Sequence, residues 1–245
     1  MLTDMQDAYG HAMLDHLLGE PQNEIVERDD GLFDVDMGTP YYFAAFREWP
    51  SSEREAIAFA RGRVLDVGCG AGRNALYLQE QGHEVLGIDI SPLAIEVCKR
   101  RGLAHAQIMS VTQVSPKLGL FDTIIMFGNN LGLLSNERRA KWLLRRFHGI
   151  TTPGARILGA SRDPYATTAP EHLAYHARNR ARGRMPGQVR LRVRYRRYVS
   201  PWFDYLLLAK EELDQLVQGT GWHIAAAIDG EGGSYVAVLE KETAL

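Results

Sequence analysis

Between residues 63 and 160 the sequence alternates short apolar runs with segments of helical periodicity. The apolar runs are rich in β-branched residues, and glycine or proline separates most of them from the next segment. Such alternation is typical of βαβ units, whose parallel strands form a sheet with helices on both faces. The sequence therefore predicts an α/β fold with a doubly wound, mostly parallel sheet.

Individual elements can be placed from this pattern. Five strands are predicted at 64–67, 84–88, 107–109, 123–127 and 156–160. Ser91 and Pro92 predict the start of a helix, since serine caps helices and proline fits their first turn. Near the C-terminus, the predicted strands 222–228 and 235–240 flank a glycine-rich turn. Strands so closely joined must be antiparallel, so the sheet is expected to finish in a hairpin.

Composition excludes several classes of protein. The 245 residues are 45% hydrophobic and 24% charged, as in ordinary globular domains. No apolar run approaches the roughly 18 residues of a membrane span, and residues 1–14 lack the basic patch of a signal peptide. Two cysteines, Cys69 and Cys98, are too few for a disulfide framework or a four-cysteine zinc site. We expect a soluble cytoplasmic protein with no membrane partner.

The first predicted strand runs into the glycine loop, which we define as residues 66–72 with the sequence Asp-Val-Gly-Cys-Gly-Ala-Gly. Alternate glycines let the backbone turn sharply and approach a ligand at the start of the following helix. A dinucleotide fingerprint would require glycine at position 73, which is arginine. Arg73 therefore counts against a nicotinamide-dependent reductase, as does the lack of an obvious Tyr-x-x-x-Lys pair.

Asp89 ends the second predicted strand. A carboxylate at this position can accept hydrogen bonds from two ribose hydroxyls, and it would repel a 2′-phosphate. Alone, Asp89 could instead be a surface or helix-capping residue. Together with the glycine loop, it predicts a nucleoside-binding edge of the sheet.

These stretches carry a resemblance. VLDVGCGAGRNALYL followed by GHEVLGIDISP resembles the class I S-adenosylmethionine-dependent methyltransferases. FDTIIMFGNNLGLL resembles that family's fourth-strand motif, and TTPGARILGAS resembles its Pro-Gly turn and fifth strand. The resemblance covers roughly residues 63–160, and the closing hairpin matches the family's seven-stranded sheet. It implies S-adenosyl-L-methionine as cofactor and methylation as the reaction, and it is silent on the substrate.

The resemblance also implies roles for individual residues. The cofactor-binding set would comprise Asp66, Gly68, Cys69, Gly70, Asp89, Ile90, Ser110, Val111, Gly128 and Asn129. Asp66 and the glycine-loop backbone would line the methionine part of the cofactor. Asp89 would bind the ribose hydroxyls, and Ile90 would pack on the adenine. Cys69 lies where the family often has a small residue, so we interpret it as structural.

Three further stretches complete this implied site. The family often holds the adenine amino group through an aspartate, where this chain has Ser110 and Val111. Gly128 and Asn129 would meet the cofactor near its sulfonium. Asn130 would then face the substrate. No catalytic side chain is assigned.

Candidate substrate residues outside these motifs have competing interpretations. Tyr42 is either core or part of a cover over the cofactor. His172 and His176 lie one helical turn apart and could share a metal, but no third ligand is obvious and no metal is expected. They could instead form a solvated helix face or provide a general base. Trp202 lies in the stretch 201–204, which is expected to continue a substrate-side cover.

Residues 178–197 contain nine arginines and no acid, so the rest of the chain is strongly acidic. Within 189–196, arginines alternate with apolar residues, which predicts a strand with its arginines on one face. This strand could be a solvated edge strand, an anionic-substrate site or a partner surface. A single basic segment is unlike the broad basic surface of a nucleic-acid binder, so nucleic acid is not expected. We expect some of the arginines to pair with acids of this chain or of a second subunit.

We interpret the chain as four segments: an N-terminal helical cap (1–60), a cofactor-binding core (61–161), a substrate-side insertion (162–205) and a C-terminal helix and hairpin (206–245). The predicted activity is methylation of an oxygen or nitrogen, less favourably a carbon, of a small molecule bound between the cap and the insertion. The alternatives are an RNA- or protein-modifying methyltransferase, the reductase and a non-catalytic cofactor-binding regulator. A homodimer is possible.

Overall fold

The computed structural model describes residues 2–20, 22–34 and 38–242. The segments 1–60 and 206–245 are thus described except at residues 1, 21, 35–37 and 243–245. The helices are α1 (Ala8–Leu17), α2 (Ser51–Ala56), α3 (Arg73–Glu80), α4 (Pro92–Arg100), α5 (Glu137–His148), α6 (Pro170–Ala181) and α7 (Lys210–Val217). The strands are β1 (Ile25–Arg28), β2 (Phe33–Asp34), β3 (Arg63–Val67), β4 (Glu84–Asp89), β5 (Ala106–Ile108), β6 (Phe121–Met126), β7 (Thr151–Arg162), β8 (Gln188–Tyr195), β9 (Tyr198–Val199), β10 (Phe203–Leu206), β11 (Trp222–Asp229) and β12 (Ser234–Lys241).

The larger sheet has seven strands in the order β11-β12-β7-β6-β3-β4-β5. β4 runs parallel to β3 and β5, and β6 runs parallel to β7. β12 is antiparallel to both β7 and β11. The mostly parallel sheet with a C-terminal antiparallel hairpin confirms the predicted fold.

β7 is longer than the predicted strand 156–160, because it starts at Thr151. Pro153 and Gly154, expected to form a turn before the strand, instead lie within it. The pairing register with β6 shifts across this stretch, and Gly154 has φ = 72°. A proline without an N–H and a glycine with positive φ favour such an irregularity inside a strand.

The smaller sheet has the order β10-β8-β1-β2, with β9 paired to β8. It corrects two expectations. The segment 1–60, expected to be helical, contains β1 and β2, because β1 pairs with the distant strand β8. β8 confirms the predicted arginine-rich strand, but it lies between two other strands, so the edge-strand interpretation is wrong.

The chain divides into two compact units. The first comprises Met1–Trp49, Arg63–Gln113 and Arg190–Phe203, and the second comprises Pro50–Gly62, Val114–Val189 and Asp204–Leu245. In the first unit, α1 packs on β8 through Ala8 and Ala12, and on the glycine loop and α4 through Met13. These contacts attach the smaller sheet and α4 to the same helix.

In the second unit, α5 buries Leu143, Leu144 and Phe147. The Trp222 indole N–H donates to the Leu144 carbonyl at 2.9 Å, which ties the start of β11 to this helix. Within the described ranges, no helix has both the length and the apolar character that crossing a membrane requires.

Candidate functional site

The glycine loop joins β3 to α3 with three glycines in left-handed backbone conformations. Gly68, Gly70 and Gly72 have φ values of 71°, 53° and 82°. The N–H groups of Gly68 and Cys69 donate to the Ile88 carbonyl at 2.9 and 3.1 Å, which fixes the loop against β4. Only glycine adopts such φ values at low cost, so this tight path depends on the alternate glycines. Asp66 precedes the loop as a buried residue of β3.

Asp89, at the end of β4, contacts the glycine loop directly. Its carboxylate accepts the Gly70 N–H at 3.1 Å and the Ser91 N–H at 2.9 Å. Burial raises the pKa of Asp89 above its ordinary value, although hydrogen bonds from the backbone of Ser91, Gly70 and Ile90 lower it, and the charge of Asp7 raises it further. A carboxylate has about four acceptor positions, so these backbone bonds still leave capacity for a ligand hydroxyl.

Two apolar side chains flank Asp89. Ile90 is 46% exposed, and Ile108, which pairs with Asp89 across β4 and β5, is 40% exposed. An apolar surface beside a hydrogen-bond acceptor suits the base and sugar of a nucleoside. Ile90 was predicted at this position. Ile108 was not, although its place at the end of the third core strand was a usable signal.

Ser110 and Val111 follow β5 in a short turn. The Ser110 N–H donates to Gln113 Oε1 at 2.9 Å, and its hydroxyl lies 3.0 Å from the Thr112 hydroxyl. Val111 is buried. These bonds shape the turn locally, and an adenine contact by either residue stays a prediction.

Two side chains of the first unit bind carbonyl groups of the glycine loop. The Cys98 thiol donates to the Gly70 carbonyl at 3.1 Å, and the Arg101 guanidinium donates to the Ala71 carbonyl. The sulfur atoms of Cys69 and Cys98 are 3.8 Å apart. The contact with Cys98 and burial raise the pKa of Cys69, so its thiol is a poor nucleophile. This state suits the structural role expected of Cys69.

The N-terminal segment lies against the same loop. A Cβ atom added at Gly70 would lie 3.3 Å from Met13 Cε and 3.8 Å from Tyr42 Cδ1. The Tyr42 hydroxyl donates to the buried Glu24 carboxylate at 3.0 Å, and the Thr39 hydroxyl donates to it at 2.7 Å. Tyr42 is therefore placed beside the loop. Its role toward a ligand stays a prediction.

Arg73, the residue that breaks the dinucleotide fingerprint, is buried at the start of α3. Its guanidinium lies over the rings of Tyr41 and Trp49, at 4.0 and 4.7 Å from their centroids. It also donates to the Tyr41 hydroxyl at 3.0 Å. Cation–π contacts of this kind help a charge remain buried. The sequence analysis used Arg73 only as an argument against a nicotinamide cofactor and did not predict its contacts with Tyr41 and Trp49.

In the second unit, Gly128, Asn129 and Asn130 follow β6. Gly128 and Asn129 have φ values of 65° and 64°, and Asn130 begins a short 3₁₀ helix. The Gly128 N–H donates to Glu53 at 2.8 Å, and the Asn129 carbonyl accepts from Tyr205. Neither Glu53 nor Tyr205 was predicted, and no nearby sequence motif points to them.

The histidine pair lies on α6. His172 Nδ1 is 3.2 Å from the Thr167 hydroxyl, whereas His176 is buried with its ring beside Tyr165. A solvated helix face is therefore wrong for His176. In the part of the chain that the structure describes, no group of three or more His, Cys, Asp or Glu side chains could hold a metal ion.

Arg192 and Arg194 of β8, and Arg196 just after it, pair with acids of the same chain, as expected. Glu27 accepts from Arg192 at 2.6 and 2.8 Å and also from Arg194. These bonds lower the pKa of Glu27 to about 2. Arg196 lies 3.2 Å from Asp15.

Trp202 is half-buried, with the Arg192 guanidinium 4.5 Å from its ring centroid. The structure therefore places Trp202 beside the ion pairs of the smaller sheet. A substrate contact by Trp202 stays a prediction.

The seven-stranded sheet, the glycine loop and Asp89 match the fold of the class I S-adenosylmethionine-dependent methyltransferases. The family model described as a methyltransferase domain matches residues 64–154. A solved structure of a SAM-dependent methyltransferase from Bacteroides fragilis, in complex with S-adenosyl-L-homocysteine, is similar over 99% of this chain and 98% of its own, with a TM-score of 0.84 and 28% identity. These similarities support a class I S-adenosylmethionine-dependent methyltransferase, with S-adenosyl-L-methionine as its cofactor.

Curated relatives match over shorter stretches. The 2-heptyl-1-hydroxyquinolin-4(1H)-one methyltransferase of Mycobacteroides abscessus is 40% identical over 70 residues, which are 26% of this chain and 31% of the relative. The 18S rRNA (guanine-N(7))-methyltransferase of Bos taurus is 41% identical over 64 residues, 25% of this chain and 23% of the relative. The chain thus spans less than a third of the length of these two relatives.

Proposed function

We propose that the protein transfers a methyl group from S-adenosyl-L-methionine to an oxygen or nitrogen atom of a small molecule. The observation that carries the choice of a small molecule is the pairing of the β8 arginines. Glu27 forms ion pairs with both Arg192 and Arg194, and Asp15 pairs with Arg196, just after β8. Cations engaged in this way are less available to phosphates, whose neutralisation supplies most non-specific nucleic-acid affinity.

The residues of the first unit fit the cofactor. Asp89 has spare acceptor capacity for ribose hydroxyls, and Ile90 and Ile108 offer apolar surface on either side of it. Gly70 has φ = 53°, a conformation in which a larger side chain would be strained, so the loop has bare backbone at this position. We assign the ribose to Asp89, the adenine to Ile90 and Ile108, and the methionine part to the loop.

When bound, S-adenosyl-L-methionine supplies a methyl group activated by the positive charge of its sulfur. The protein then has to orient the acceptor atom and exclude water. Asn129 and Asn130 carry carboxamides, which can hydrogen-bond an acceptor group but cannot remove its proton at neutral pH. We therefore assign them to positioning.

The relatives' names include both substrate classes, so a transfer assay has to decide between them. The protein is incubated with methyl-tritiated S-adenosylmethionine and either the low-molecular-weight filtrate or the total RNA of a cell extract, with Asp89→Ala as the control. Label in small-molecule products supports the proposal. Label in RNA would replace it with the nucleic-acid alternative, and preferential NADH binding would favour the reductase.

Filter binding to RNA at about 150 mM salt provides an independent test. We expect no affinity tighter than the roughly 10⁻⁴–10⁻⁶ M of non-specific binding. Nanomolar, salt-sensitive binding would contradict the small-molecule proposal. The homodimer and the cytoplasmic location stay predictions, and light scattering tests the first.

A further inference from the structure

The segment after β6 is held by two side chains from distant parts of the sequence. Glu53 lies 75 residues before Gly128, whose N–H it accepts at 2.8 Å. Tyr205 lies 76 residues after Asn129, to whose carbonyl its hydroxyl donates. Glu53 is only 3% exposed, so water competes poorly for its carboxylate. We call Glu53 and Tyr205 the loop clamp.

The backbone of this segment needs such support. Asn129 and Ser135 have φ values of 64° and 72°, in the left-handed region that residues other than glycine adopt only at an energetic cost. The Ser135 hydroxyl donates to the Asp204 carbonyl at 3.2 Å, beside Tyr205. Contacts from outside the segment therefore hold both of its ends.

Tyr205 also packs against the middle of the segment. A Cβ atom added at Gly132 would come within 2.1 Å of the Tyr205 ring. The absence of a side chain at Gly132 thus lets the ring lie on the 3₁₀ helix Asn130–Leu134. Tyr205 restrains the segment through both its hydroxyl and its ring.

We propose that the loop clamp is a pair of positioning residues for methyl transfer, which hold the Gly128–Asn129 backbone so that Asn129 and Asn130 keep a fixed orientation. The proposal rests on the proposed function, in which these carboxamides position the reactants. Methyl transfer depends on alignment, and a misplacement of about 1 Å can cost about 10²-fold in rate.

The first test measures the clamp without any substrate. Amide hydrogen exchange of Gly128 is followed by NMR in the wild type, Glu53→Leu, Glu53→Gln and the control Glu55→Leu. Glu55 is an exposed glutamate on the same helix, so its variant makes the same chemical change away from the segment. We expect faster exchange at Gly128 in Glu53→Leu alone, because glutamine can still accept the N–H. Unchanged exchange in Glu53→Leu would overturn the proposal.

The second test separates positioning from a merely structural role. Turnover is measured with methyl-tritiated S-adenosylmethionine and the low-molecular-weight filtrate, well below the melting temperature. We expect Glu53→Leu to lower kcat by about 10²-fold with KM for the cofactor unchanged, and Glu53→Gln to recover most of the loss. Tyr205→Phe, which keeps the ring, should lower kcat less. A lower melting temperature with normal kcat would overturn the proposal.

The two tests separate this proposal from the proposed function. If the wild-type protein labels no acceptor in any fraction, the proposed function fails and the positioning role fails with it, whatever the exchange result. If the wild type labels small molecules but Glu53→Leu matches Glu55→Leu in exchange and kcat, only the loop clamp is contradicted.

Discussion

In both the glycine loop after β3 and the segment after β6, side chains hydrogen-bond the backbone and fix its path. The two loops differ in how far along the sequence those side chains lie. In the glycine loop, the Gly70 N–H donates to the Asp89 carboxylate and the Gly70 carbonyl accepts from Cys98. Both partners lie in the strand and helix that follow, 19 and 28 residues away. The loop is therefore held by β4 and α4, which follow it closely in the sequence.

In the segment after β6, a glycine N–H likewise donates to a carboxylate, and the carbonyl of the next residue accepts from a side chain. Its partners, Glu53 and Tyr205, are 75 and 76 residues away on either side. A loop held by elements that follow it closely can keep its shape wherever those elements fold. A loop held from outside depends on how the whole chain is arranged, so substitutions far away can alter it.

The largest effect is expected at the centre of the glycine loop. Gly70→Val should abolish cofactor binding in a folded protein, because Gly70 has φ = 53° and valine would place atoms against Met13 and Tyr42. Calorimetry with S-adenosylhomocysteine measures binding, and circular dichroism measures folding.

Gly82→Val is the matched control for Gly70→Val. Gly82 has φ = 89° with nothing within 4 Å of an added Cβ, so it carries similar backbone strain away from the loop. The control should bind normally. If circular dichroism showed Gly70→Val to be unfolded, Gly70 would be primarily a structural residue.

The next largest effect is expected from Asp89, whose carboxylate accepts the Gly70 N–H. Asp89→Ala should weaken cofactor binding by roughly 1.5–3 kcal/mol, the range for hydrogen bonds to charged groups, which is about 10- to 150-fold. Calorimetry on both proteins measures the difference. Equal affinities would remove Asp89 from the site.

The same carboxylate predicts a pH dependence. Burial raises the pKa of Asp89, and ribose hydroxyls donate to its ionised form. Affinity should therefore be constant above the raised pKa and should fall as the pH drops through it. Asp89→Asn, which does not ionise, should lack this fall, and a parallel loss in both proteins would assign the titration to another group.

The comparison also explains what could be predicted from sequence. Strand and helix periodicity predicted the parallel sheet and the hairpin, and the glycine loop with Asp89 predicted a nucleoside-binding edge. The resemblance added the seven-strand count. All of these signals depend on residues close in the chain. β1 and Glu53 could not be predicted this way. β1 is a strand because it pairs with β8, and Glu53 faces Gly128, so each depends on a contact between distant residues.

A change in the smaller sheet should leave the glycine loop intact and thereby sharpen the comparison. The folded pKa of Glu27 is about 2, below its ordinary 4.5. Its ion pairs thus add stability that is fully present above pH 4.5 and lost as the pH falls toward 2. Glu27→Gln should lower Tm at pH 7 by roughly 2–4 °C, the shift that about 1 kcal/mol causes in a protein of this size.

The difference in Tm between the wild type and Glu27→Gln should shrink as the pH falls from 4.5 toward 2, which thermal melts at several pH values measure. Cofactor affinity at neutral pH should be unchanged. A large loss of affinity would show that the glycine loop, like the segment after β6, depends on distant support.

The smallest effect is expected at Cys98. A thiol is a weak donor, and a hydrogen bond contributes about 0.5–1.5 kcal/mol, so Cys98→Ala should weaken cofactor binding by less than about tenfold. Cys98→Ser keeps a donor and should recover part of the loss, whereas Cys69→Ala removes the neighbouring thiol without removing the bond to Gly70. If all three variants bind equally, Cys98 only fills space, and Asp89 is then the main side chain that holds Gly70.

A thiol reagent should react slowly with the native protein, since both cysteines are buried and the pKa of Cys69 is raised, and rapidly after denaturation. Fast labelling of the native protein would mean that the glycine loop opens, and its local bonds would then be weaker than their geometry indicates.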